Sequence, residues 1–85
     1  PRTVLQDRLL ELAFLHLQSS AFGVSEWSER AYLSERQLRR RIMELTGMSP
    51  VAWLREQRLL RLRELITNGT CRTLAEAGAM AGIDN

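Results

Sequence analysis

Apolar residues along this chain recur every three or four positions, and nowhere do they alternate in twos, so the pattern predicts helices throughout. A first helix spans about residues 3–18, with Thr3 as N-cap. Leu5, Leu9, Leu12 and Ala13 form one apolar stripe, and Leu10, Phe14 and Leu17 form a second. The stretch Ser19–Gly23 breaks it. A short second helix then starts from Ser25 as N-cap and ends near Tyr32. Leu33 and Ser34 make a tight turn, and Ser34 caps a third helix, Glu35–Leu45, which Thr46-Gly47 terminates. Ser49, followed by Pro50 at the first helical position, opens a long fourth helix to about Ile66, with Leu59 expected on its core stripe. Asn68-Gly69 stops it, and Thr73 caps a fifth helix running to Met80 or Ala81. Gly82 turns the chain, and Asp84 or Asn85 reads as the cap of a sixth helix.

Two helices joined by a very short turn, the second one charged, form the helix-turn-helix pattern. Residues 25–45 carry it, and it begins again at Thr73. The expected fold is therefore all-α, with two helix-turn-helix units bridged by the long helix. The second unit is expected to be truncated before its reading helix. A chain that opens on Pro1 reads as a fragment.

Charge sharpens this picture. The net charge of +2 is unevenly spread: residues 1–33 sum to −1, residues 34–63 to +5 and residues 64–85 to −2. All twelve basic residues are Arg, which is better read as genome composition than as a mark of any partner. Where the arginines lie matters more. With successive residues about 100° apart around the axis, Leu38, Ile42 and Leu45 share one stripe of the third helix. Arg36, Arg39, Arg40 and Met43 cluster opposite, and Gln37 and Arg41 fall on the flanks. A helix fits the major groove of B-DNA, where Arg can pair with guanine N7 and O6. Arg36, Arg39 and Arg40 are thus the candidates for base edges. Ser34, Gln37, Arg41 and Ser49, at helix starts and flanks, are the candidates for phosphate. A charged helix face is more often merely solvated. The single sign of this charge, the clean stripe opposite it and its place on the second helix of a tight pair favour DNA.

Other features exclude more than they suggest. One Cys (Cys71) and one His (His16) can form neither an internal disulfide nor a closed zinc site. The lone thiol, in the loop between helices, reads as incidental and fits a reducing compartment such as the cytosol. No nucleophile–base pair assembles, so neither an enzyme nor a cofactor is expected. The apolar runs are too short for a membrane span. Trp27 and Trp53, at helical spacing among aliphatic residues, read as core rather than as base-stacking platforms. Of the fourth-helix arginines (Arg55, Arg58, Arg61, Arg63), some are expected to pair with Glu56 or Glu64 and one to be partly buried.

The stretch SERQLRRRIMELTGMSPVAWLREQRL, residues 34–59, carries a resemblance. Ser34, Leu38, Arg40, Gly47, Ser49-Pro50 and Arg58-Leu59 stand at the spacings typical of AraC/XylS-type DNA-binding domains. LAEAGAMAGIDN, residues 74–85, is similar to the start of that family's second helix-turn-helix. Departures are Ile42 for the usual Phe, Met43 for a common Lys, Trp27-Ser28 for Leu-Ala, Ala77-Gly78 for Ile-Ala and Leu62 for a small Ala. The resemblance implies sequence-specific binding of double-stranded DNA in a bacterial cytoplasm for transcription regulation. It implies an effector or dimerisation domain outside this chain, a small-molecule effector acting there, and RNA polymerase as a further partner. It also places Arg36, Arg39 and Arg40 on the base-facing side and makes Arg58 largely structural. The alternative is a helical protein-interaction module that docks through its apolar first helix.

Overall fold

The computed structural model describes residues 1–83; the expected cap at Asp84 or Asn85 lies outside the described residues. Five helices follow in order: α1 (Val4–His16), α2 (Val24–Arg30), α3 (Glu35–Thr46), α4 (Pro50–Thr67) and α5 (Leu74–Met80). Among the described residues there is no strand. The fold is all-α, as the apolar periodicity predicts.

Most helix starts are where their caps place them. Thr3, Ser34, Ser49 and Thr73 each accept a hydrogen bond from a backbone N–H in the first turn of the helix they open. Thr3 does so reciprocally with Gln6, and Ser34 with Gln37. The second helix departs from expectation. Its N-cap is Gly23, which offers no side chain, and Ser25 lies inside the helix. The Ser28 hydroxyl instead turns back to donate to Ser25 O at 2.9 Å.

Two apolar clusters form, joined by α4. The first gathers Leu9, Leu12 and Ala13 of α1, Leu17, Phe22, Trp27, Leu38, Ile42, and Trp53 and Leu54 of α4. Trp27 is fully buried, and its indole Nε1 donates to Leu9 O at 3.0 Å, tying α2 to α1. Its ring lies 5.7 Å from Trp53 and 6.0 Å from Phe22. Both tryptophans are thus core residues, as read. The second cluster is smaller: Leu65 at the end of α4, Cys71, Ala77 of α5 and Ala81, flanked by Leu62 and Ile83. Cys71, read as an incidental loop thiol, is buried there, its sulfur 3.3 Å from that of Met80.

Leu59 does not belong to the core. Expected on a buried stripe, it is 44% exposed. The reason is that α4 serves two clusters at its two ends, through Trp53 and Leu54 and then through Leu62 and Leu65. The middle of the helix therefore needs no continuous apolar stripe. Leu45, on the last turn of α3, is only half-buried.

Candidate nucleic-acid interface

The interface builds from the α2–α3 turn. Leu33 N–H donates to Ser28 O at 3.0 Å and Tyr32 N–H to Glu29 O at 3.2 Å. These two bonds are the Schellman pair that closes a helix C-terminus, with Tyr32 as the left-handed residue at φ 58°. Leu33, immediately before the Ser34 cap, and Leu38, four residues after it, both pack into the first cluster. That is the arrangement of a hydrophobic staple, and it fixes the angle at which the chain enters α3.

At the far end of α3, Gly47 takes φ 75°. Thr46 Oγ1 donates to Ile42 O at 2.8 Å and accepts from Met48 N–H at 3.1 Å. Both ends of α3 are therefore held. Its inner side is held by Leu38 and Ile42, both fully buried.

The outer side carries the arginines. Arg36, Arg39 and Arg40 are all exposed, as the angular reading requires, and Arg41 is half-buried on the flank. Arg36, Gln37 and Arg40 together line one shallow concavity. Arg39 Nη1 stands 3.8 Å from Glu35 and Arg40 Nε 3.9 Å from Glu44, each one turn away along the helix. Solvated pairs of this kind contribute only about 0.3–0.5 kcal/mol, so they orient the guanidinium groups without retaining them. Among the described residues, Arg36 and Arg41 have no carboxylate within 4.0 Å. The Ser34–Gln37 capping box commits Gln37 Oε1 to the Ser34 N–H, which leaves the Gln37 amide NH₂ to donate outward. Ser49 is exposed at the start of α4, its hydroxyl oxygen accepting from Ala52 N–H at 3.2 Å.

Sequence reasoning missed Tyr32. It is 94% exposed and stands two residues before the Ser34 cap of α3. The only sequence signal is a repeat at a spacing of 50: Ala31-Tyr32-Leu33 corresponds to Ala81-Gly82-Ile83. The structure repeats it too. α2 and α5 are both seven residues long. After α5, Ile83 N–H donates to Gly78 O at 2.8 Å and Gly82 N–H to Ala79 O at 3.3 Å, with Gly82 at φ 81°.

On α4, Arg61 pairs with Glu64 at 3.3 Å, one of the pairings expected there. Arg58 is the partly buried arginine. Its Nε donates to Leu17 O at 3.0 Å, and its Nη2 to Ser19 O at 2.8 Å and Phe22 O at 2.7 Å. Burial lowers its pKa from the ordinary value by desolvation. His16 lies at the boundary of the core, stacked on Phe22 at 5.3 Å. Among the described residues, no group of three or more His, Cys, Asp and Glu side chains comes together, and no helix is long and apolar enough to cross a membrane.

A short, well-tied helix pair presenting one basic face defines a helix-turn-helix domain. Residues 27–85 match the family model described as a helix-turn-helix domain. The chain belongs to this family, as a DNA-binding domain of the AraC/XylS type. No curated protein and no solved structure matches it. The family is one of DNA-binding regulatory domains rather than enzymes.

Proposed function

We propose that this domain binds double-stranded DNA sequence-specifically to regulate bacterial transcription, with α3 as the reading helix. The observation that carries the reading is the exposed face of α3, where Arg36, Arg39 and Arg40 stand opposite a fully buried Leu38 and Ile42. Arg36 and Arg40 bound one concavity and reach base edges, with Arg39 beside them. Ser34, Gln37, Arg41 and Ser49 hold phosphates from the flanks and helix starts. Tyr32, a bulky residue in a left-handed turn with its ring in solvent, adds a backbone contact through its hydroxyl. Backbone strain of this kind clusters at functional sites.

The α5 turn repeats the α2 turn bond for bond, which supports reading residues 73–85 as the opening of a second helix-turn-helix on the bridge of α4. A separate effector or dimerisation domain, a small-molecule effector and RNA polymerase complete the proposal at the level the family suggests.

Amide chemical-shift mapping on addition of duplex DNA tests the assignment. Shifts should concentrate at Tyr32, Ser34, the exposed side of α3 and Ser49. Shifts confined to α1, around the exposed Phe14 and Leu15, would instead favour the protein-interaction alternative.

A further inference from the structure

The two apolar clusters share α4, yet a polar junction also joins them. Arg58, near the middle of α4, sends its guanidinium into the connection between α1 and α2 and there serves three carbonyls, those of Leu17, Ser19 and Phe22. The rigid planar fork of arginine fixes the relative positions of the groups it binds. Gly82 lies against the same spot. It is buried, at φ 81°, and a Cβ placed on it would overlap Leu17 O and come 3.0 Å from Arg58 Nε and from the carbonyl carbon of Gln18. The carbonyl oxygen of Leu17 thus accepts the Arg58 bond and also fills the space that a Cβ at position 82 would need. Tyr32, fifty residues earlier in the same turn, stands free in solvent. The turn alone therefore does not demand glycine at 82; the close approach does.

We infer that Arg58 and Gly82 are positioning residues: together they lock the turn after α5 onto the α1–α2 connection and so fix the second cluster at a set angle to the reading face of α3. The functional half of this inference rests on the DNA-binding reading of α3. A locked pair meets the cost of mutual orientation during folding, whereas a hinged pair would meet it on the DNA. Each cluster has its own buried residues, with Leu9 to Leu54 in the first and Leu65 to Ala81 in the second. Breaking the lock therefore loosens the angle and leaves both halves folded.

Residual dipolar couplings on the 85-residue chain test this. In the wild type, α1–α3 and the α4–α5 end should fit one alignment tensor, and the Arg58 Nε–H should exchange with solvent far more slowly than that of the exposed Arg55. In Gly82→Asn and in Arg58→Gln, each cluster should keep its shifts while α5 no longer fits the tensor of α1–α3. Asn tolerates a left-handed backbone, so its effect reports the missing space rather than φ. Arg58→Lys should not rescue, because one ammonium cannot span three carbonyls. Gly69→Asn is the control, at φ 76° with nothing within 4 Å of its Cβ, and should leave the tensor unchanged. An unchanged α3–α5 angle in both lock variants would overturn the inference. So would rapid exchange of Arg58 Nε–H in the wild type, a result that needs no variant to fold. A wild type that fits one tensor but ignores DNA would refute the reading of α3 and leave the lock standing.

Discussion

Tyr32→Gly should make the domain more stable and a weaker DNA binder at once. Tyr32 sits at φ 58° with its side chain 94% exposed, so the ring contributes almost no packing. An L-residue in the left-handed region costs about 1–2 kcal/mol. Glycine removes that cost but gains freedom in the unfolded chain, which returns about 0.4–1 kcal/mol. Taken at mid-range, the net is a stabilisation of about 0.5–1 kcal/mol. The two bonds that close the turn, from Tyr32 N–H and Leu33 N–H, are backbone bonds and survive the change. For a domain of this size the midpoint should rise by roughly 2–8 °C, measured by circular dichroism and checked by urea titration. Tyr32→Ala, which keeps the strained backbone, should move stability by no more than about 0.5 kcal/mol. If the phenolic hydroxyl contacts DNA, both variants should bind duplex more weakly. A Tyr32→Gly protein less stable than wild type would refute the argument, because it would mean that the ring packs or that the turn is not strained.

Leu38→Ala should cost about 2–5 kcal/mol in a urea titration, since Leu38 is fully buried, while the half-exposed Leu59→Ala should cost clearly less. Ser34→Ala removes one half of the α3 capping box and should destabilise by about 1 kcal/mol. Arg36→Ala and Arg40→Ala should each weaken specific binding by about 1–3 kcal/mol and relax preference at one base position; an equal loss on every sequence would reassign them to phosphate. Arg41→Ala should weaken binding to all duplexes alike and make the salt dependence shallower.

The local grammar of this chain is strong where side chains act on their own neighbourhood. Thr3, Ser34, Ser49 and Thr73 cap the helices they were read to cap, and Gly47, Gly69 and Gly82 all take positive φ. The outward arginines of α3 were legible for the same reason, since one helix face follows from one periodicity. The start of α2 was not, because Gly23 caps with its backbone alone and Ser25 offered a more conventional signal. Tyr32 was invisible because left-handed positions are ordinarily announced by Gly or Asn. Leu59 was misread because α4 packs against two clusters, a division that lies in the tertiary arrangement and not in the helix's own sequence. The Arg58 junction is harder still. Its acceptors are backbone carbonyls around forty residues away, with no side-chain signature. The family resemblance marks Arg58 as structural, but its carbonyl partners and the fit of Gly82 are set by the tertiary arrangement.

The central claim is that the α3 face reads sequence. Its most direct test is an anisotropy titration of the chain on a duplex selected from a random pool, with a shuffled duplex alongside, over a series of salt concentrations. Binding to the selected duplex should be tighter at every salt, and log K should fall linearly with log salt, with slope about −0.9 per phosphate neutralised. Equal affinity for the two duplexes, or affinity indifferent to salt, would contradict it.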